Sequence, residues 1–103
     1  MKQGDKVIAL SDAPNEQSQF RRRGSVYLVN ETTHCMYCMR NLINIGQRTN
    51  FQAVKCKCGT MLHSGGFMWT PTDEFVLLDD KDKEIQRAVE VEDYEFAAKL
   101  RDL

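Results

Sequence analysis

Four cysteines offer the most chemistry in this sequence, and all four lie between positions 35 and 58. They read Cys35-Met36-Tyr37-Cys38, then seventeen residues, then Cys56-Lys57-Cys58-Gly59. Two close thiol pairs joined by a loop are the layout of one tetrahedral metal site. Each short turn aims two sulfurs at the same side of an ion, and thiolates are soft ligands suited to it. The spacing points to zinc held by Cys35, Cys38, Cys56 and Cys58. The two pairs differ: the first is followed by Met39 where the second has Gly59, and the second is Cys-x-Cys rather than Cys-x-x-Cys. If one of Cys56 and Cys58 is not a ligand, His63, five residues beyond Cys58, is the replacement, with His34 as a further reserve. Four protein ligands leave no open position for water, so the site is expected to fasten loops rather than to catalyse. Unliganded thiols are the weaker alternative. A redox role for Cys35 and Cys38 is weaker still, because no βαβ pattern surrounds them. No paired acid and base, Gly-rich phosphate loop or nucleophile motif stands elsewhere, and the sequence predicts a protein that is not an enzyme.

The bulk numbers agree with a small protein that needs such a clip. The 103 residues, 42% hydrophobic and 28% charged, suit one compact domain with a small appendage. A chain of this size buries only roughly 60–65% of its unfolded surface, so a metal adds useful stability. No apolar run approaches a membrane span. Residues Met1 to Asp5 lead into folded sequence with no signal-peptide core, which makes the cytoplasm the expected compartment; paired thiols there serve as metal ligands more often than as disulfides. The net charge of −1 hides an asymmetry: residues 1–58 carry nine Lys/Arg against four Asp/Glu, and residues 59–103 carry five against eleven. The basic half suggests a second function class, nucleic-acid binding through Arg21, Arg22, Arg23, Arg40, Lys55 and Lys57, with Tyr37 or Trp69 as stacking platforms. The pI of about 6.1 and the lack of a continuous basic stretch speak against it.

The elements that must carry these residues are short. Val7 to Leu10 is an apolar run bounded by turn residues, and Ser25 to Val29 is β-branched and aromatic; both read as strands. Ser11 to Gln19 between them is a polar loop. Leu42 to Gly46 and Phe51 to Lys55 alternate, and Gly46 to Asn50 is expected to join them as a hairpin. Phe67 to Trp69 and Phe75 to Leu78 complete about six short strands with Gly/Pro turns and no central helix, which suggests a small barrel or sandwich. From Asp80 to Leu103 there is no Gly or Pro. Ile85, Ala88 and Val89 recur at helical spacing, and Asp79 or Asp80 can cap the start. Glu92-Asp93 supplies a second cap, after which Phe96, Leu100 and Leu103 line one stripe and Tyr94, Ala97 and Ala98 a neighbouring one. Two short antiparallel helices follow. Neither persists alone in water, so the pair must pack on something.

Two resemblances sharpen this picture. The stretch Ala88 to Asp102, above all Glu92-Asp93-Tyr94-Glu95 and Ala97-Ala98-Lys99-Leu100-Arg101-Asp102, resembles the UVR motif. That helical hairpin occurs in the B and C subunits of bacterial nucleotide-excision repair and in the zinc-binding partner of a bacterial protein arginine kinase. The resemblance implies protein–protein contact, with Tyr94, Phe96, Ala97, Leu100 and Arg101 as the partner-binding residues and either another protein or a second copy on residues 80–103. The opposing expectation is a hairpin folded back on its own β domain. The first 78 residues are similar, more loosely, to small bacterial and phage proteins of SH3-like barrel type, through Gly4-Asp5-Lys6-Val7, Gly24 to Val29, and Trp69 with Phe75-Val76. The expected whole is an α+β protein: residues 1–78 form a small SH3-like β-barrel or sandwich with an inserted zinc ribbon at 34–63, and residues 79–103 form a helical hairpin. Its expected role is that of a non-enzymatic, zinc-stabilised interaction adaptor.

Overall fold

The computed structural model describes residues 1–13, 21–48, 53–56, 58–63 and 65–103. The elements run β1 (Lys6–Ala9), β2 (Val26–Leu28), β3 (Glu31–His34), β4 (Asn41–Asn44), β5 (Ala53–Lys55), β6 (Met61–His63), β7 (Thr70–Pro71), β8 (Phe75–Leu77), α1 (Lys81–Glu90) and α2 (Tyr94–Arg101). Among the described residues the strands form two three-stranded sheets, β2-β1-β8 and β3-β4-β7, and one two-stranded sheet, β5-β6. The α+β class holds, but no barrel closes among these residues. The reason lies at Val29-Asn30. After β2 the chain leaves the first sheet, and β3 pairs forward with β4 instead of returning to β2.

Strand β1 is the centre. It pairs antiparallel with β2 and with β8, in register Val7↔Tyr27, Val7↔Leu77 and Ile8↔Val76. Side chains alternate across a strand, so the Val7 and Ala9 side chains cannot share a face with Ile8. Val7 and Ala9 meet Val29, Ile43 and Phe75, with Tyr27, Ile45 and Leu77 around them. Ile8 points the other way, into Ala88, Phe96, Ala97 and Leu100, with Leu10, Val76, Leu78, Ile85 and Val89 around it. Val7, Ile8 and Ala9 are fully buried as a result. A continuous apolar run, rather than an alternating one, is what a strand covered on both faces requires.

The hairpin therefore packs on its own sheet. Helix α1 begins after Asp80, whose side chain makes no capping bond, contrary to the expectation for Asp79 or Asp80. Helix α2 is capped as expected: the Asp93 carboxylate accepts from the Phe96 N–H at 3.2 Å. The elbow between the helices is a Schellman turn, in which the Asp93 N–H donates to Ala88 O at 2.7 Å and the Glu92 N–H to Val89 O at 3.0 Å. Its left-handed position, usually glycine, is held by Glu92 at φ 62°.

Among the described residues, the predicted hairpin joining residues 42–46 to 51–55 is not found; residues 49–52 of it lie outside them. Strand β4 pairs with β3 and β7, and β5 pairs with β6. Phe67, expected in a strand, contributes only a bridge to Arg48. Because Ile8 alone on β1 reaches the hairpin core, Ile8→Ala should lower the unfolding free energy by about 3 kcal/mol; urea titration followed by far-ultraviolet circular dichroism measures it.

Candidate functional site

Each cysteine pair sits at the tip of a β-hairpin. Cys35 and Cys38 lie in the turn between β3 and β4, closed by the Cys35 N–H donating to Arg40 O at 2.9 Å and the Met39 N–H to Cys35 O at 2.8 Å. Cys56 and Cys58 lie in the turn between β5 and β6, closed by the Cys56 N–H to Thr60 O and the Gly59 N–H to Cys56 O, both 2.8 Å. The residue after each pair takes the left-handed conformation, Met39 at φ 61° and Gly59 at φ 97°. Glycine meets that demand without cost, whereas a side chain there costs roughly 1–2 kcal/mol.

The two tips bring four thiols together. Cys35 Sγ lies 3.7 Å from Cys58 Sγ, and Cys38 Sγ lies 3.5 Å from Cys56 Sγ. All four sulfurs fall within 4.8 Å of one another. A tetrahedron with metal–sulfur bonds of about 2.3 Å has edges of about 3.8 Å, so the spacing matches one ion bound by four thiolates. Cys35 and Cys56 are buried, and Cys38 and Cys58 are exposed. His63, the reserve ligand, stands outside the cluster; its Nδ1 accepts from the Gly65 N–H at 3.2 Å.

Three thiols depart from ordinary cysteine behaviour. The backbone N–H groups of Cys38 and Tyr37 hold the Cys35 thiol down. The hydroxyl and backbone N–H of Thr60 hold Cys58 down to about 6, with Thr60 Oγ1 3.2 Å from its sulfur. Cys38 is pushed up to about 11: the Arg40 backbone favours its thiolate, but desolvation and the thiols of Cys56, Cys58 and Cys35 outweigh it. Sulfurs this crowded cannot all ionise beside one another without a cation, and a bound metal reverses that penalty. The donor set, the spacing and the electrostatics all fit a metal ion. Thr60 was not legible as a contributor; its place two residues after Cys58 was the available signal.

The arginine run has been put to structural use. Arg21 is buried, and its guanidinium donates to Ser11 O at 3.1 Å, Thr70 Oγ1 at 3.0 Å and Asp12 O at 3.2 Å. It also pairs with Glu74 at 3.2 Å. Arg23 pairs with Asp93 at 2.5 Å and lies 3.8 Å above the Phe96 ring, while Lys99 donates to Arg23 O at 2.6 Å. Arg22 is exposed and Arg40 half-buried. Lys57 lies outside the described residues, and of Lys55 only the strand backbone is described. Two of the six basic residues expected to contact nucleic acid, Arg21 and Arg23, thus bind the chain to itself.

On the hairpin, Phe96, Ala97 and Leu100 are buried against the sheet, whereas Tyr94 and Arg101 are exposed. The face offered outward is the elbow, where Val91 joins Tyr94, rather than the apolar stripe. Val91 was not singled out in the sequence, since its exposure depends on how the hairpin sits.

Asp93 joins cap and clamp, and its pKa follows. The Arg23 guanidinium and the Phe96 N–H hold its carboxyl below the usual carboxylate range. A depressed folded-state pKa adds stability that is fully present above the unfolded value of about 3.9 and is lost as pH falls through the folded value. Asp93→Asn should therefore lower thermal stability at pH 7 and flatten the acid limb below about pH 4, which melting curves taken at falling pH would show.

Comparison with known families gives one match: the UVR family, the UvrB/uvrC motif, covers residues 76–103, that is β8 from Val76 onward and both helices. The four-cysteine cluster lies outside it. No curated protein and no solved structure matches the chain. No helix among the described residues is long and apolar enough to cross a membrane.

Proposed function

We propose that this protein is a non-enzymatic interaction adaptor in which a zinc-clipped β domain, residues 1–78 of SH3-like ancestry, holds out a UVR-type hairpin, residues 79–103, for a protein partner or a second copy. The observation that carries it is the UVR match falling on a hairpin whose inner face is already covered. The elbow residues Val91 and Tyr94 are 70% and 61% exposed, among Glu90, Glu92 and Glu95. Large apolar side chains rimmed by polar ones mark contact surfaces. Zinc is the ion favoured by four thiolates in tetrahedral spacing, and with every position filled by protein it fastens rather than reacts. The expected compartment is the cytoplasm, where thiols stay reduced.

Nucleic-acid binding by the basic loops is less well supported, because Arg21 and Arg23 are engaged internally.

Two measurements test the reading. Purified protein should carry about one zinc per chain, and Cys35→Ser should lose the ion and cost roughly 3 kcal/mol or more of stability; metal analysis and melting on the same sample decide this. Tyr94→Ala should weaken partner or self-association by about tenfold or more while leaving the fold unchanged. Retained association in that variant overturns the role of the hairpin.

A further inference from the structure

The metal knuckle carries a second patch that the fold does not use. Met36 and Tyr37 are 80% and 81% exposed at the apex of the first cysteine turn, Met39 is 65% exposed just behind them, and Met61 is 61% exposed at the start of β6 beside the second turn. These four large apolar side chains flank the same four sulfurs and contribute little to the chain's own core. Hairpin geometry does not ask for them. A turn between two metal ligands is satisfied by small or polar residues, and Met39 occupies a left-handed position that its counterpart Gly59 fills without strain.

The chain holds a matching surface at its opposite functional end. Among the described residues, Met39 and Glu92 are the two non-glycine positions with positive φ, 61° and 62°. One stands in the knuckle patch and the other in the hairpin elbow between Val91 and Tyr94. Backbone strain concentrates where a surface has work to do. The electrostatics are complementary as well. Residues 31–72, from the start of β3 and containing the knuckle, hold four Lys/Arg and one acidic residue, Glu31. A divalent ion with four thiolates adds two negative charges, so this lobe stays positive. Residues 73–103 hold eleven Asp/Glu against five Lys/Arg, and Glu90, Glu92 and Glu95 surround the elbow tyrosine and valine.

We infer that the knuckle of one copy docks on the hairpin elbow of a second copy, tip to elbow, with Met36, Tyr37 and Met39 against Val91 and Tyr94. The inference rests on the proposed role of the hairpin as an association surface and names what it meets. Methionine adapts its shape and favours aromatic neighbours at about 5 Å from sulfur to ring, which suits a contact between Met36 or Met39 and Tyr94. The metal holds the tip rigid before contact, so little ordering cost falls on binding. The contact is heterologous: it uses two different patches, and closes only if both can engage reciprocally in a twofold pair. With about six side chains involved, the interface is small, and association in the micromolar range is expected.

The test uses the zinc-loaded full chain and two double variants at exposed positions, Met36→Ser with Tyr37→Ser at the tip, and Val91→Ser with Tyr94→Ser at the elbow. Zinc content and circular dichroism confirm that each variant is folded. Sedimentation velocity is run from about 5 to 300 µM, a range that brackets small interfaces. Tip-to-elbow docking predicts that the unaltered protein associates, that each variant alone is monomeric or weakened about tenfold or more, and that an equimolar mixture of the two recovers a dimer, since the mixture holds one intact tip and one intact elbow. A tip variant that associates as well as the unaltered protein, while the elbow variant does not, overturns the inference and leaves the hairpin reading standing. An elbow variant that still associates overturns both. Absence of recovery on mixing, or a monomer at every concentration, overturns tip-to-elbow docking, and the Tyr94→Ala partner assay then judges the hairpin by itself.

Discussion

The burial of β1 on both faces is the constraint on which the rest of the structure depends. Val7 and Ala9 close one core against β4 and β8, and Ile8 closes the other against the helical hairpin. A single four-residue strand thereby joins three layers that are each too small to persist alone. The hairpin's UVR-like stripe is buried as a consequence of this arrangement. Phe96, Ala97 and Leu100 find their apolar partner within the chain, and what remains for others is the elbow.

Charged side chains then lock the layers instead of decorating them. Arg21 ties the loop after β1 to Thr70 and Glu74, with its guanidinium 5.7 Å from the Phe75 ring centre. Arg23 reaches across to Asp93 and Phe96, so that the N-cap of α2 and the loop before β2 share one carboxylate. Lys99 continues the clamp, its stem lying over Gly24, where a Cβ would stand 2.8 Å from Lys99 Cδ. Gly24 also takes φ 84°, so both the close approach and the backbone call for glycine there. These contacts engage Arg21 and Arg23 of the basic run within the fold and leave Arg22 exposed.

The metal centre works on a different principle. Its lobe has little apolar core of its own: β3 is exposed along its whole length, and Thr32 and Thr33 are held in a strand by pairing with Ile43 and Leu42 rather than by burial. At the two hairpin tips four thiols converge, a donor set that could hold one ion between them. The binding free energy of an ion held there would be folding free energy for the lobe. The protein thus has a part held by packing and a part where four thiols converge, with exposed apolar side chains on the second.

Local pattern was enough to read the cysteine cluster, the helical hairpin, its Asp93 cap and the strands around Val7, Tyr27 and Phe75, because each depends on spacing within a few residues. The cysteine cluster was legible even though its hairpins were not: thiol pairing shows in residue type and spacing, whereas β3 and β6 lack the apolar alternation that marks a strand and exist through their partners. Pairing of β4 with β3 and β7 also had no local signal, since alternation in a strand does not say which neighbour it takes. Tertiary structure alone decided which charges are internal and which apolar side chains are outside. Arg21 and Arg22 are adjacent and chemically identical, yet one is buried and the other exposed, because the carbonyls of Ser11 and Asp12 and the carboxylate of Glu74 meet only the first. Phe96 and Tyr94 differ in the same way: two residues apart on a helix face opposite sides, and the sheet beneath Ile8 selects the one it covers.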